Sequence, residues 1–262
     1  MTASIARLEA APVAGVTRIA RAFATSPQRW TVSSPALDGW TTVTHQLLGD
    51  GSFGGDSSRA VIRVESGAKL IAQGVTATAL RGCGTSTVST HLLAAPGAAL
   101  LHLPGPVVPH QGSNHRSALR IGAADGAFVL AASTLVAGRM GLGERGAYER
   151  LRLNTTVRAG GSLAFREQLD IDPDDLAARP TLCPSEALVT LIIVAAESVF
   201  DVSALHELAG PGALIGFSRL RSSGSIARAI FPELGAAQEF LRRLETYVRE
   251  LMKGCLTPQN FR

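Results

Sequence analysis

Four times between residues 60 and 170 an apolar run enters a short glycine turn and a second apolar run leaves it. The segments are AVIRVESGAKLIAQ around Gly67, STHLLAAPGAALLHLP around Gly97, SALRIGAADGAFVLAA around Gly126 and RLNTTVRAGGSLAFREQ around Gly160 and Gly161. The turns recur about every thirty residues, a period typical of stacked repeat architectures. Ser66-Gly67, Pro96-Gly97, Asp125-Gly126 and Gly160-Gly161 supply the positive-φ residues that tight turns require. In Ala60, Ile62 and Val64 against Arg59, Arg63 and Glu65 the hydrophobic period is two, so one strand face is buried and the other is wet. The pattern predicts a mainly β fold of stacked antiparallel elements, β-helical or sandwich-like, over residues 1–175. An ordinary β-sandwich with look-alike turns satisfies the same pattern.

Composition narrows this further. The 27 glycines disfavour a helical bundle, since glycine costs about 1 kcal/mol inside a helix. Aromatics are only 5%, so Ala, Val, Leu and Ile must build the core. A chain of 262 residues buries enough surface to fold without disulfides or a structural metal.

Residues 185–262 read as an α+β portion with two helices, one continuous domain with the first region. Ala187 to Val194 is a buried strand, Val199 to Leu208 a helix ended by Gly210-Pro211-Gly212, and Ala213 to Leu220 and Ser225 to Phe231 are strands. From Leu234 to Met252, Ala237, Leu241, Leu244, Val248 and Leu251 form the apolar stripe of an amphipathic helix. Glu245 sits one turn before Arg249 and adds a surface pair. Asp172 to Pro184 is the linker.

The formal net charge is +4, carried almost wholly by arginine; Lys69 and Lys253 are the only lysines. No basic run is interleaved with aromatics, which argues against nucleic acid and fits docking to an acidic protein surface. Cys83, Cys183 and Cys255 are far apart and odd in number, as in a reduced cytoplasmic chain. Glu9 interrupts the N-terminal segment, which is no secretory signal. The longest stretch free of Asp, Glu, Lys and Arg, Gly82 to His115, is broken by proline and glycine and spans no membrane.

Catalytic patterns are absent. Asp170, Asp172, Asp174 and Asp175 lack the glycine and glutamate of a calcium loop, Leu176 and Thr181 standing in their places, and read as a solvated linker. His102, His110 and His115 are the metal candidates, but no convergent ligand set accompanies them, so no tight metal site is expected. No nucleophile elbow, Walker loop or dinucleotide fingerprint occurs. The glycine-rich loop Gly49 to Asp56 precedes a strand rather than a helix, so it serves close backbone approach instead of a phosphate.

Several segments in order nevertheless resemble one family. Gly54-Gly55-Asp56 followed by Gln73-Gly74-Val75-Thr76 resembles the "GGD … PGATK" of the UreD (UreH) urease accessory proteins. Leu103-Pro104, Val107-Val108 and Gly112-Ser113 are similar to its "LP…I.F.GA" stretch. Ala137-Gly138-Arg139-Met140-Gly141-Leu142-Gly143-Glu144 is similar to its "LGRxxxGE". The closing helix, Pro258 and Phe261 resemble its C-terminus. Departures mark a divergent member: Ala77 and Ala79 replace basic and aromatic positions, Ser133 an acidic one, and Phe261 a tryptophan.

The resemblance implies a non-enzymatic scaffold for urease maturation, one that binds apo-urease and the UreF-like and UreG-like accessory proteins and assists nickel insertion. It implies no stably bound cofactor, only nickel in transit through a polar passage. A hydrated cation must be held weakly there so that it can leave. The residues at matching positions are Asp56, Thr76, Glu144 and Glu167, with Gly54, Gly55, Gly138, Arg139 and Gly143 as motif positions. For Asp56 a turn cap is the competing role, and for Glu144 an ion pair with Arg139. The alternative functions are a β-helical enzyme acting on polysaccharide and a small metal-dependent hydrolase using the three histidines.

Overall fold

A type of turn that needs one positive-φ residue at its third position sets the architecture. In a computed structural model that describes residues 3–173, 185–196 and 199–255, Gly67, Gly97 and Gly126 have φ of 76°, 69° and 75°. Each closes a hydrogen-bonded turn, Ala68 N to Glu65 O at 3.0 Å, Ala98 N to Ala95 O at 3.0 Å and Ala127 N to Ala124 O at 3.1 Å. Each turn carries the chain out of one sheet and into another that faces it.

The first sheet has seven strands. In chain order they are β1 (Ala3–Val13), β2 (Val16–Ala24), β6 (Ser57–Val64), β9 (Thr85–Ala94), β12 (Asn114–Ala123), β14 (Arg150–Ala159) and β15 (Ser162–Ile171), and across the sheet they run β15-β14-β12-β9-β6-β1-β2. The second contains β3 (Gln28–Val32), β4 (Trp40–Leu47), β7 (Lys69–Gly74), β10 (Ala99–Leu103), β13 (Phe128–Val136), β16 (Ala187–Val194), β17 (Leu214–Arg219) and β18 (Ser225–Phe231), in the order β17-β18-β16-β13-β10-β7-β4-β3. A strip of three short strands, β5 (Ser52–Phe53), β8 (Thr78–Arg81) and β11 (Val107–Pro109), continues it.

The mainly β, stacked reading holds, with a correction to the pairing. The stacked neighbours are parallel, not antiparallel: Ser57 lies opposite Thr87 on β9, and Lys69 opposite Ala99 on β10, at the same offset in both sheets. The reason is geometric. A turn that joins two facing sheets puts its strands in different sheets, so each strand pairs with the equivalent strand of the next unit. Antiparallel pairing is confined to the flanks, β1–β2, β3–β4, β14–β15 and the β13-β16-β18-β17 run.

The fourth glycine turn is of another kind. Gly160 and Gly161 both have positive φ, 54° and 79°, and close a hairpin within the first sheet. Two successive positive-φ residues fit a two-residue hairpin loop, whereas a single one suits the inter-sheet turn. Ala14 and Gly15 do the same between β1 and β2.

Between the sheets, near the glycine turns, Leu8, Val43, Ile62, Leu70, Leu92, Leu100, Ile121 and Val129 form an aliphatic core. The other face of the second sheet is covered by the helices α1 (Ala204–Ala209) and α2 (Leu234–Cys255). α1 begins later than the sequence predicts, after the Val199 amide donates to the Ala196 carbonyl and Asp201 brackets Ser203. On α2, Ala237, Phe240, Leu244, Val248 and Met252 are fully buried, while Leu241 and Leu251 flank the stripe. Glu245 reaches Arg249 at 3.6 Å, and Arg249 also ties α2 to Asp38 at 2.8 Å. Most of the Asp172–Pro184 linker, with Asp174, Asp175 and Cys183, lies outside the described residues, as do Pro258 and Phe261.

The glycine-rich loop does bring backbones together. A Cβ on Gly54 would collide with the Cys83 carbonyl, and one on Gly97 would meet nothing. Gly97→Ala should therefore cost about 1–2 kcal/mol, the price of a positive φ. Gly54→Ala should cost at least twice that in a denaturant titration. Equal costs would mean that the Cys83 backbone yields freely.

Candidate functional site

The aliphatic filling stops partway along the stack. Beyond it the inter-sheet space opens into a cavity of about 220 Å³ whose largely apolar wall, with Leu47, Val88, Leu151 and Leu153, is interrupted by polar side chains. Inward positions there carry Thr90 on β9, His115 and Ser117 on β12, Thr155 on β14, His45 on β4 and His102 on β10. Strand alternation makes this placement obligatory. His102 follows Leu100 by two residues and His115 precedes Ser117 by two, so each projects to the same face as its neighbour.

Three imidazoles thus share one cavity. His45 Nε2 lies 3.0 Å from Gln28 Oε1, and Gln28 Nε2 donates to Ser4 Oγ at 2.9 Å. His115 Nδ1 lies 2.8 Å from Ser86 Oγ. His102 is 9% exposed, and its Nδ1 has no hydrogen-bond partner among the described residues, nor does Thr134 Oγ1 beside the same cavity. Burial pushes His45 down to about 4 and His115 to about 4; burial and then the neighbouring His45 push His102 down to about 3. All three rings are therefore uncharged at neutral pH, with lone pairs available.

Of the three histidines weighed from sequence, His102 and His115 line the cavity and His110 does not. His110 caps the turn closed by Ser113, whose hydroxyl donates to its carbonyl at 2.7 Å. His45 was not singled out from sequence. Its signal is its position two residues after the buried Val43, on the same face of β4. Among the described residues, no three His, Cys, Asp or Glu side chains come close enough to hold one metal ion.

The four residues chosen by family position are scattered around this cavity. Thr76 lines it, where Gly74 and Gly105 pack backbone to backbone. Glu167 pairs with Arg228 at 2.5 Å, joining β15 of one sheet to β18 of the other. Glu167 lies opposite the cavity-lining Thr155, while Arg228 lines a second cavity of about 680 Å³, so this ion pair stands between the two. Asp56 braces its turn: its Oδ2 accepts the Phe53 amide at 3.0 Å and its own amide donates to Phe53 O at 2.9 Å. Its carbonyl accepts the Thr87 amide, and Ser58, two residues on, lines the cavity. Gly55, at φ 90°, completes the turn.

Glu144 forms a double hydrogen bond with Arg139, and its Oε2 accepts the Gln111 amide at 3.2 Å. The arginine hydrogen bond holds the Glu144 carboxyl below its ordinary range and raises the Arg139 guanidinium. Gly138 lies against the Glu144 carbonyl, where a Cβ would not fit, and Gly143, at φ 69°, ends the short 3-10 turn Met140–Leu142. The motif lies outside the lining of this cavity, and its Ala137 lines the second cavity.

The second cavity sits between β15 and β16–β18 and is walled by Leu135, Tyr148, Leu169, Leu188 and Ile215. Leu214 and Phe217, on the edge strand β17, are 61% and 46% exposed. Among the described residues, no helix is long and apolar enough to cross a membrane.

Comparison with known proteins matches residues 3–260 to the model of the UreD urease accessory protein family. A urease accessory protein UreD of Opitutus terrae is 32% identical over 207 residues, 76% of either chain. That of Dinoroseobacter shibae is 30% identical, covering 80% of this chain and 74% of its own. That of an Anaeromyxobacter strain is 28% identical over 95% of this chain and 86% of its own.

The cavity carries a pH signature. Unfolded histidines take up protons near 6.5, whereas these three resist protonation until about 4 or below. The unfolded state therefore binds more protons below pH 6.5, and stability falls as the pH drops through the window from 6.5 to 4. The limiting slope is about 1.4 kcal/mol per pH unit for each histidine. The melting temperature should be flat above pH 7 and decline below 6.5, with a shallower decline in His102→Leu. An unchanged slope in that variant would place the acid sensitivity elsewhere.

Proposed function

The chain belongs to the UreD family of urease accessory proteins and so has a role in urease maturation; from that premise we propose that it is a non-catalytic scaffold whose inter-sheet cavity passes nickel toward apo-urease. The observation that carries this is that three uncharged imidazoles and the hydroxyls of Ser117, Thr90 and Thr155 share one inter-sheet cavity in an otherwise largely apolar wall. Neutral imidazole is a good borderline ligand for Ni²⁺, and hydroxyls replace water in its outer shell. The histidines do not close on one point, so each holds the ion incompletely and releases it to the next. A tight cage would keep its cargo.

The carboxylates act at the margins of this path. Glu167, held by Arg228, lies opposite the cavity-lining Thr155, and Asp56 stands just outside the cavity before Ser58. A carboxylate at 4 Å attracts a unit charge by about 1 kcal/mol in water and about 4 at an effective dielectric of 20, with roughly twice that for a dication. The charge gathers the ion without trapping it. The exposed apolar residues Leu214 and Phe217 beside the second cavity suit a UreF-like partner, and a UreG-like GTPase would deliver the metal through it.

Urease activity and nickel content in cells report the test, alongside pull-down of the partner proteins. His102→Leu should leave expression and partner capture intact and lower activation several-fold. Asp56→Asn keeps an acceptor for the Phe53 amide and should also lower activation if its charge gathers nickel; full activation would make Asp56 a turn brace alone. Full activation in a His45→Leu/His102→Leu double variant would refute passage through this cavity.

A further inference from the structure

The outer face of the first sheet carries far more arginine than acid. Strand alternation sends Arg7 of β1, Arg59 and Arg63 of β6, Arg120 of β12, Arg158 of β14 and Arg166 of β15 to this one face, and all six are exposed. Parallel register sets them in rows. Arg120 lies opposite His91 on one side and Thr156 on the other, and Thr156 lies opposite Arg166. Neighbouring strands are about 4.8 Å apart, so the guanidinium groups spread over a flat grid. Among the described residues none of the six has a carboxylate within salt-bridge distance. The acids on this face are Glu9, which lies opposite Arg21 and Arg63 in register without a salt bridge to either, and Asp170, which is already shared by Arg150 and Arg152.

We propose that this sheet face docks an acidic surface of a protein partner. Charge complementarity selects the acid. Between the arginines lie apolar side chains, Ile5 at 41% and Leu163 at 43% exposed with Val61 and Leu93 half-buried, and arginine mixed with apolar contacts is protein-interface composition. Single-stranded nucleic acid needs aromatic stacking platforms, and the outward positions hold none apart from Phe23 at the edge strand β2. Among the described residues, Asp38, Glu144, Glu167 and Glu239 are each taken by an arginine of their own chain, so a second copy has less free acid to offer in return. The positive field registers locally as well. His91 is held below its ordinary value first by burial and then by Arg59 and Arg120. This inference is independent of nickel passage, whose residues face the other side of the sheet.

Labelled poly-L-glutamate, a carboxylate chain without shape specificity, is the probe, titrated with the full-length protein and read by fluorescence anisotropy. Binding should weaken about tenfold or more between low and 0.5 M salt, as the Debye length shrinks. The Arg59→Ser/Arg63→Ser/Arg120→Ser variant should lose about tenfold or more of the affinity. Arg242→Ser/Arg243→Ser, on the exposed face of α2 beyond the second sheet, should bind as the unaltered protein does. Both variants should keep the unaltered melting temperature to within a few degrees, since exposed positions contribute little to stability. Equal losses in the two variants, no binding of the probe, or tighter binding of a 20-base-pair DNA duplex than of poly-L-glutamate would overturn the proposal.

Discussion

Everything in this molecule depends on the parallel ladder between successive glycine-turn units. Ala95 N to Val64 O and Ala124 N to Ala94 O, each at 2.9 Å, continue one sheet past the turn. Ala99 N to Ala68 O at 2.9 Å and Phe128 N to Ala98 O at 2.8 Å restart the other. The turns are thereby stacked in register, and the register of both sheets follows at once. A slip by one residue would turn Ile62, Leu92 and Ile121 outward and Arg63, Arg120 and His91 inward. The fold is thus a single decision repeated, and the edge hairpins and α2 finish it.

That rigidity is what permits a polar interior. An imidazole nitrogen such as His102 Nδ1, buried without a protein partner, costs about 1–3 kcal/mol. The cost is borne by the aliphatic block packed against it, from Val43 through Leu100 to Ile192. The same block prevents collapse of the cavity, since each wall strand is held by hydrogen bonds on both edges. A binding space and a stable core are therefore two ends of one inter-sheet layer, divided where His, Thr and Ser begin to share the inward positions with Leu and Val.

The family motifs take on a physical meaning in this frame. Gly54, Gly74, Gly105 and Gly138 each sit where a neighbouring backbone leaves no room for a Cβ. Arg139 and Glu144 lock a loop, and Asp56 braces the turn into β6. Much of what identifies the family in the sequence is therefore architecture that positions the cavity. The cavity's own imidazoles lie outside those motifs, and short-range pattern reading passes over His45 for that reason.

The amino-acid sequence by itself determined the strands, the positions of the glycine turns, the amphipathic α2 and the family, because each depends on local periodicity, on where glycine can adopt a positive φ, or on motifs in order. It also determined the alternation that separates arginine from leucine along β6 and β12. Tertiary structure alone decided that stacked neighbours run parallel, that Gly160 and Gly161 close a hairpin instead of a fourth inter-sheet turn, and that His45, His102 and His115 line one cavity. The reason is that a turn constrains a few consecutive residues. Which strand lies beside which, and which inward residues then face one another across the gap, is set by burial summed over segments far apart in the chain.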